Sequence, residues 1–355
     1  EPRRRIVITS LPIVCSGNTL SAHCTFQVLV FSRQDKGKPE QGGDFSLNIK
    51  VIRPMEPVPA EKPTDDPAWI HQVKWDGIRL LSYIEGGRTR LYTRGGQERT
   101  GAYPELVEAK VAKAGAVVLD GEVVALDSRG VPSFQRVMRR HMRSQRGLGA
   151  AIDISVHYVV FDLLHLNGRW LFEVPLLDRQ ALLQDSVNWD TGVRPCDNHT
   201  SGMELFQATK QLGLEGIVSK ERNGCYHPHR KHPTWRKIKH FRELDVVVVG
   251  VLLKLGRANA LLTAAYLDSE LAYTGRVATG LSMDELSLFT ELALYSQGSS
   301  PPLLNRGQLP EREVRWLKIR PAVRIRFMGW TEQGLFRAPV VVGFATRPEE
   351  ECVIE

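Results

Sequence analysis

The chain has 355 residues, of which 42% are hydrophobic and 25% are charged. This length accommodates two domains with their own cores, and the composition excludes a disordered or low-complexity protein. The formal net charge of +7 favours a polyanionic partner. The five cysteines are scattered and form no Cys-x-x-Cys pair, which argues against a disulfide framework and predicts a reducing cytoplasm. No apolar run approaches the ~20 residues that a membrane span needs.

The first fifty residues show no clear domain pattern. A polar run from Ser32 to Asp44 contains three glycines and predicts a linker. We interpret residues 1–50 as an N-terminal extension of unassigned role, either an accessory segment or an unrelated leader. Five prolines between Pro54 and Pro67 then predict a rigid approach to the next segment.

Residues 51–242 predict a first domain of the α+β class. Apolar residues recur with the two-residue period of strands in some segments between Trp69 and His240 and with the 3.6-residue period of helices in others. Turn pairs such as Gly86-Gly87 separate these segments. The predicted strands are His71–Ile84, Arg90–Thr93, Ala116–Leu126, His157–Leu163 and Gly216–Ser219. The predicted helices are Pro104–Ala114, Leu177–Gln184 and Gly202–Leu212.

The pattern changes from Leu244 onwards. Five strand-like runs, with one helix between the third and the fourth, predict an OB-type β-barrel over residues 243–345 and a tail over residues 346–355. The predicted strands are Val246–Leu253, Leu262–Leu267, Leu271–Val277, Glu313–Ile319 and Val323–Trp330, and the helix is Met283–Tyr295.

The segment Lys74-Trp75-Asp76-Gly77-Ile78-Arg79 has an unusual composition for part of a strand. An amine that attacks phosphorus must be uncharged, so a nucleophilic lysine needs a desolvated or cation-rich site. The glycine would let the backbone approach a nucleotide, and the arginine fork would hold phosphate or ribose oxygens. By itself the string is also typical of a surface turn.

Further motifs follow this segment in order. They are Thr93-Arg94-Gly95-Gly96, Asp120-Gly121-Glu122-Val123-Val124, Val160-Phe161-Asp162-Leu163-Leu164, Glu215-Gly216-Ile217-Val218-Ser219-Lys220 and Trp235-Arg236-Lys237-Ile238-Lys239. Together they resemble the covalent nucleotidyltransferase superfamily, and within it the ATP-dependent DNA ligases, especially the bacterial end-joining type. The resemblance covers about Ile52 to Phe344. It implies an adenylation domain of antiparallel sheets with helices, followed by an OB-fold domain.

The resemblance implies an enzyme that seals 5′-phosphate/3′-hydroxyl nicks with ATP and Mg²⁺ (or Mn²⁺). Lys74 would attack the α-phosphorus of ATP and form lysyl-AMP. AMP would then pass to the nick 5′-phosphate, and the 3′-hydroxyl would displace it. Asp76 would hydrogen-bond to ribose or backbone, and Arg79 and Arg94 would bind ribose and the nick phosphate. The alternative for both arginines, and for Arg79 especially, is a surface salt bridge.

Two carboxylates and one aromatic residue are also implied in the site. Glu122 lies in an apolar strand, where a carboxylate is costly unless it is paired or bound to a metal. The resemblance assigns Glu122 to the ribose or metal side, Glu215 to Mg²⁺ and Phe161 to stacking on adenine. The structural alternative pairs each glutamate with a buried arginine and places Phe161 in the core.

A group of cations would surround the phosphates. Lys237 and Lys239 are two residues apart and share one face of a strand. With Lys220 they would grip the α-phosphate, and Trp235 would pack beside them. The alternative is an edge strand that lysines protect from pairing.

Two further residues would bind the base and the terminal phosphates of the nucleotide. Gln72, followed by Val73, stands where the family commonly has a glutamate that reads the adenine amino group. A glutamine oxygen still accepts a hydrogen bond but has no full charge, so preference for ATP over GTP is left open. Arg337, within Phe336-Arg337-Ala338-Pro339-Val340, resembles the final family motif and would reach the β- and γ-phosphates on domain closure.

Two basic runs, within residues 222–242 and 136–146, flank these motifs. They predict sequence-independent contacts to the backbone of nicked duplex DNA. We therefore expect a monomeric enzyme of DNA repair or end joining, at the nucleoid in the cytoplasm, with a Ku-type end-binding protein as a candidate partner. The competing interpretations are an RNA ligase, an mRNA-capping nucleotidyltransferase or a non-catalytic nick-binding protein.

Overall fold

The computed structural model describes residues 49–109, 111–113, 115–145, 154–189, 192–310 and 314–354. Almost all of the predicted N-terminal extension lies outside the described residues. The chain divides into two compact units, residues 1–239 and residues 240–355. No helix in the described ranges is long and apolar enough to cross a membrane.

The first unit contains short strands interleaved with helices. Its strands are β1 (Glu56–Pro59), β2 (Trp69–Val73), β3 (Ile78–Glu85), β4 (Arg88–Thr93), β5 (Ala116–Val124), β6 (His157–Leu166), β7 (Arg169–Trp170), β8 (Val193–Pro195), β9 (Gly216–Glu221) and β10 (Lys231–Lys239). Its helices are α1 (Pro104–Glu108), α2 (Phe134–Gln145), α3 (Leu176–Ser186) and α4 (Gly202–Gln211). The sequence analysis missed α2, because its many arginines were interpreted only as a basic run.

These strands form two sheets. One has the order β1-β10-β9-β2, and the other has the order β4-β3-β5-β6-β7 with β8 beside β6. The predicted α+β class is confirmed. The sheets are mainly antiparallel, as expected, but β1 pairs with β10 and β6 pairs with β8 in parallel.

The prediction of a single strand over His71–Ile84 is wrong. β2 ends at Val73 and β3 begins at Ile78, and the two strands belong to different sheets. The segment from Lys74 to Gly77 is therefore the crossover between the sheets. A Cβ at Gly77 would lie 2.2 Å from the Val123 carbonyl oxygen, so the glycine is needed because the protein's own β5 comes so close.

The second sheet is covered on both faces. Leu80 packs into a core that includes Val137 of α2 and Leu183 of α3. The next residue, Leu81, packs into a second core that includes Trp235 of the first sheet. Successive strand residues point to opposite faces, so this sheet has helices on one side and the first sheet on the other.

The second unit contains an antiparallel sheet and one longer helix. Its strands are β11 (Arg242–Lys254), β12 (Arg257–Leu267), β13 (Glu270–Val277), β14 (Val314–Trp316), β15 (Ala322–Phe327), β16 (Gly329–Trp330), β17 (Phe336–Arg337) and β18 (Val340–Phe344). Helix α5 (Met283–Tyr295) has the predicted bounds and begins with a capping box between Ser282 and Glu285. The order is β13-β12-β11-β15-β18, with β14 beside β11, and pairing among the described strands does not close into a barrel.

Candidate active site

A cavity of about 690 Å³ lies in the first unit. Residues of both sheets and of α2 line it. Many of the predicted site residues are among its lining, namely Gln72, Val73, Lys74, Arg79, Arg94, Glu122, Phe161, Lys220, Trp235 and Lys237. Residues that are up to 165 positions apart in the sequence therefore meet in one concave site, whereas Glu215 and Lys239 lie outside its lining.

Strand register explains why the first sheet presents its polar residues to this cavity. Val218 of β9 lies opposite both Gln72 of β2 and Lys237 of β10. Lys220, two residues further along β9, lies opposite Trp235. Because side chains alternate between the two faces of a strand, these residues share the face that lines the cavity.

Lys74 forms an ion pair at the end of β2. Its backbone N–H donates to the Gly216 carbonyl at 2.9 Å, which places Lys74 beside the start of β9. The Lys74 amine contacts Glu215 Oε2, and the Lys239 amine lies 2.8 Å from Glu215 Oε1. The two amines lower the pKa of Glu215 against the opposing effect of burial. Glu215 thus holds Lys74, the predicted nucleophile, at the cavity wall. The Lys74 side chain is 21% exposed.

Lys220 is the most isolated cation of the site. It is 2% exposed, and its amine has no hydrogen-bond partner among the described residues. The amine lies 4.2 Å from the ring centroid of Phe161 and 4.0 Å from that of Trp235. Burial lowers the pKa of Lys220 to about 8. A buried, unpartnered ammonium that lines a cavity is expected to bind an anion there.

Phe161 enters the cavity because β6 is irregular. In the β5–β6 ladder Asp120 pairs with Asp162 and Gly121 pairs with Val160, so Phe161 is an extra residue without a partner on β5. A β-bulge of this kind re-aims a side chain. The Phe161 ring then meets Trp235 edge to face, with the centroids 5.9 Å apart. Phe161 also packs against the core between the two sheets, so a role in stacking on adenine stays a prediction.

Glu122 lines the cavity, and no arginine of the described residues forms a hydrogen bond or ion pair with it. Burial raises the pKa of Glu122 to about 8, against the opposing charges of Lys74 and Arg79, and Glu215 adds to the rise. A carboxyl whose charge is this poorly compensated favours a nearby cation. The two glutamates are close enough to repel each other, as a shared cation site would require.

Arg79 is held by a residue that the sequence analysis missed. Its Nε and Nη2 donate to the two carboxylate oxygens of Asp120 at 2.8 and 2.6 Å, and Asp120 also accepts from Tyr226 Oη at 2.8 Å. Asp120 is fully buried, so its pair with Arg79 is not a surface salt bridge, and separating the two side chains would leave a buried charge uncompensated. Asp120 and Glu122 are two residues apart on one apolar strand, so the sequence offered two acids for Arg79 without distinguishing them.

A second buried pair joins Asp162 and Arg179. Arg179 Nε and Nη2 donate to the two Asp162 oxygens at 2.7 and 2.8 Å, and both side chains are fully buried. Neither glutamate of the predicted site is the acid in these two arginine pairs, and Glu215 pairs with Lys74 and Lys239 instead.

The remaining predicted residues are placed differently. Arg94 lies at the cavity with its side chain 64% exposed, and its Nη1 contacts Glu56 at 3.3 Å. Burial and the neighbouring Lys239 and Lys74 lower the pKa of Lys237. Asp76 lies half-buried in the crossover outside the cavity lining, and Arg337 lies on β17 in the second unit.

The basic runs are only partly suited to DNA contacts. Arg140 is fully buried, and its guanidinium donates to the carbonyls of Ala102 and Ile154 and to Glu105. It therefore stabilises the fold and cannot contact a phosphate. In the other run Arg236 lies 4.2 Å above the ring of Trp69, whereas Arg230 and Arg242 are exposed.

The residues of the cavity fit a divalent cation that brings most of its own ligands. Within the described ranges there is no cluster of three or more His, Cys, Asp or Glu side chains that could hold a metal. Mg²⁺ characteristically uses one or two carboxylates and completes its shell with water and substrate phosphates. Glu122 lines the cavity and would be one such ligand, and the charge of Glu215, which is outside the lining, contributes to the raised pKa of Glu122.

Comparison with known protein families assigns both parts of the chain. Residues 58–239 match the model of the ATP dependent DNA ligase domain, and residues 254–348 match that of the ATP dependent DNA ligase C terminal region. The two matches follow each other in the order expected from the sequence, and the first alone spans half of the chain.

Individual relatives agree with these matches. The multifunctional non-homologous end joining DNA repair protein LigD of Mycobacterium tuberculosis is 33% identical over 277 residues, 76% of this chain and 35% of that protein. DNA ligase 2 of Methanosarcina mazei is 30% identical over 69% of this chain and 48% of its own length. This chain thus spans between a third and a half of these curated relatives.

A solved structure covers more of the chain. The mycobacterial DNA ligase D structure, described as complexed with ATP and MES, is 30% identical over 86% of this chain and 98% of that one, with a TM-score of 0.49. The assignment rests on the ligase-domain match over half of the chain and on the 33% identity with LigD over 76% of the chain. The chain therefore belongs to the ATP-dependent DNA ligase family.

Proposed function

We propose that this protein is an ATP-dependent DNA ligase that works through a lysyl-AMP intermediate on Lys74. The observation that carries the proposal is the arrangement of three amines around one cavity. Lys74 and Lys237 line it, and the unpartnered amine of Lys220 is buried in its wall. Such a concentration of cations is costly without an anion of high charge, which a nucleoside triphosphate supplies.

The residues divide the chemistry of the first step between them. The Lys74 nitrogen forms a bond to the α-phosphorus of ATP, the bond from that phosphorus to the bridging oxygen breaks, and pyrophosphate leaves. Lys220 and Lys237 offset the negative charge of the α-phosphate oxygens. Glu215 positions the charged Lys74 amine and would accept its proton, so that the neutral nitrogen can attack. Gln72, Phe161 and Trp235 form the side of the cavity suited to the base.

Magnesium (or manganese) completes the proposed site. Glu122 and Glu215 would hold the ion, and when bound it would neutralise the phosphate charge and favour departure of pyrophosphate. Arg79, fixed by Asp120, and Arg94 would contact ribose and the nick 5′-phosphate. Asp76 would stabilise the crossover that carries Lys74, and Arg337 of the second unit would contact the β- and γ-phosphates.

We further propose an adenylation domain over residues 51–242, an OB-fold domain over residues 243–345 and a tail beyond. The names of the end-joining relatives support a role in non-homologous end joining. The proposed substrate is nicked double-stranded DNA, and the proposed location is the nucleoid in the cytoplasm. The protein would act as a monomer with a Ku-type partner. Co-precipitation with the host Ku protein tests that partnership, and sedimentation tests the oligomeric state.

Mass spectrometry of the protein after incubation with ATP and Mg²⁺ tests the first step. We expect one AMP adduct on Lys74, absent from Lys74→Ala and present in Lys210→Ala, which changes an exposed lysine of α4. An adduct on another residue, or one that survives Lys74→Ala, would contradict the proposed nucleophile. An adduct formed with GTP in preference to ATP would favour a capping enzyme.

Sealing of a nicked duplex tests the complete reaction. We expect joining when both strands are DNA, and a steep loss of DNA affinity with added salt, because exposed arginines such as Arg230 and Arg242 would contact phosphates. Sealing confined to RNA strands would favour an RNA ligase. Binding to a nick without an AMP adduct would favour the non-catalytic interpretation.

A further inference from the structure

A chain of side-chain amides leads from the cavity to the backbone of β6. Gln72 Nε2 donates to Asn198 Oδ1 at 2.8 Å, and Asn198 Nδ2 donates to Gln180 Oε1 at 2.7 Å. Gln180 Nε2 then donates to the Phe161 carbonyl at 3.1 Å. The three amides come from β2, from the loop before α4 and from α3, so only the tertiary structure connects them.

The end of this chain fixes its direction. A backbone carbonyl can only accept, so Gln180 must turn its NH₂ group towards Phe161. Its oxygen must then face Asn198, which has to donate through its own NH₂ group. The Asn198 oxygen consequently accepts from Gln72. Each amide is oriented by the next one, and the last is oriented by a group that cannot reverse.

The bulge in β6 makes this anchor available. Phe161 has no partner on β5, so its carbonyl is not committed to the β5–β6 ladder and can accept from Gln180. The same irregularity directs the Phe161 ring to the cavity. One local feature therefore places an aromatic surface in the site and anchors the amide chain that ends at Gln72.

Gln72 is 1% exposed and lines the cavity, and its NH₂ group is directed at Asn198. Its Oε1 is therefore the group left to face a ligand. We propose that Asn198 and Gln180 are positioning residues that hold Gln72 as an obligate hydrogen-bond acceptor, and that this orientation selects a nucleotide base with a donor at position 6. Adenine has an amino group there, whereas guanine and hypoxanthine have an oxygen.

The amide chain gives Gln72 the acceptor-only hydrogen bonding that a carboxylate would have at this position. A glutamate can only accept, so its selectivity needs no orientation by neighbours. A free glutamine can rotate its amide by half a turn, donate to a 6-oxygen and accept the wrong base. Asn198 is exposed at the rim, so without its partners the Gln72 amide would be free to turn.

The test measures nucleotide selectivity and not rate alone, and it rests on the proposed formation of lysyl-AMP. The ratio of kcat/KM for adduct formation with ATP to that with ITP is compared in wild type, Asn198→Ala, Asn198→Asp and Gln72→Glu/Asn198→Ala. ITP is chosen over GTP because hypoxanthine, like adenine, has no amino group at position 2, so the two nucleotides differ only along the edge that carries position 6. We expect wild type to prefer ATP and Asn198→Ala to lower the ratio about five-fold or more, the effect of one neutral hydrogen bond.

The other two variants separate orientation from loop integrity. Aspartate at position 198 still accepts from Gln72 but cannot donate to Gln180, so we expect it to retain the wild-type ratio. Glutamate at position 72 cannot donate, so it should restore the ratio in the Asn198→Ala background. Equal loss in the alanine and aspartate variants, an unchanged ratio in Asn198→Ala, or failure of the rescue would overturn the inference. A wild-type protein that forms no adduct with ATP would overturn the proposed function as well.

Discussion

Replacing Lys220 with methionine removes a buried charge from the wall of the cavity while keeping a side chain of similar length. The pKa of Lys220 is lowered from 10.5 to about 8. Because one pKa unit corresponds to about 1.4 kcal/mol, burial of the charged amine costs about 3 kcal/mol at neutral pH. Two cation–π contacts, each of about 0.5–1 kcal/mol, are lost in the variant. We therefore expect Lys220→Met to be more stable than wild type by about 2 kcal/mol at pH 7.

The pH dependence of this difference follows from the direction of the shift. Below pH 8 the lysine is charged in both the folded and the unfolded protein, and the cost of burial is fully present. Between pH 8 and 10.5 the unfolded chain binds the proton and the folded protein does not, so wild type gains stability as pH rises. The advantage of Lys220→Met should shrink by about 2 kcal/mol between pH 7 and about 9.5.

Urea unfolding, followed by tryptophan fluorescence and circular dichroism, measures this difference. Lys210→Met, which changes an exposed lysine, is the control and should leave the unfolding free energy nearly unchanged. AMP-adduct formation by Lys220→Met should fall by about 10²-fold, since a charge directed at the phosphates is lost. A variant that is less stable than wild type at pH 7, or a difference that does not change with pH, would refute this reasoning.

Three further predictions concern the surroundings of the nucleophile. Asp120→Ala should lower the unfolding free energy by about 3–5 kcal/mol, because it leaves the charge of Arg79 uncompensated. Arg129→Ala breaks an exposed ion pair and should cost less than about 1 kcal/mol in the same urea titration. The raised pKa of Glu122, about 8, means that the folded protein keeps a proton that the unfolded chain loses near 4.5, so stability should fall as pH rises between these values. Glu122→Gln should remove that fall, and parallel pH profiles of the two proteins would contradict the assignment. Gly77→Ala should reduce AMP-adduct formation by about 10²-fold because a Cβ displaces the crossover, whereas Gly101→Ala, with no atom within 4 Å of its added Cβ, should behave as wild type.

Composition and local order in the sequence were enough for the class of the fold and for the family. Helix α5 was predicted with its bounds, because the capping residues Ser282 and Glu285 are local signals. The sequence also predicted that Lys237 and Lys239 share one face of a strand, since this needs only the two-residue period of a strand. These features depend on residues that are near each other along the chain.

Other features of the site depend on which strands become neighbours. The break between β2 and β3 was missed because an apolar pattern does not show that a chain changes sheets. The bulge at Phe161 depends on the register of β6 against β5. The partner of Arg79 could not be chosen between Asp120 and Glu122, since both lie on the same face of one strand.

The order of its motifs alone identified this chain as a ligase and named the residues that carry charge. Only the folded arrangement decided which charges compensate each other. Glu215 joins two lysines, Asp120 fixes Arg79, and the Lys220 amine has no hydrogen-bond partner in the part of the chain that the structure describes. The physical reason is that the sequence specifies the side chain, and so its charge, at each position. Ion pairing and desolvation depend instead on distances between segments that meet only when the two sheets pack.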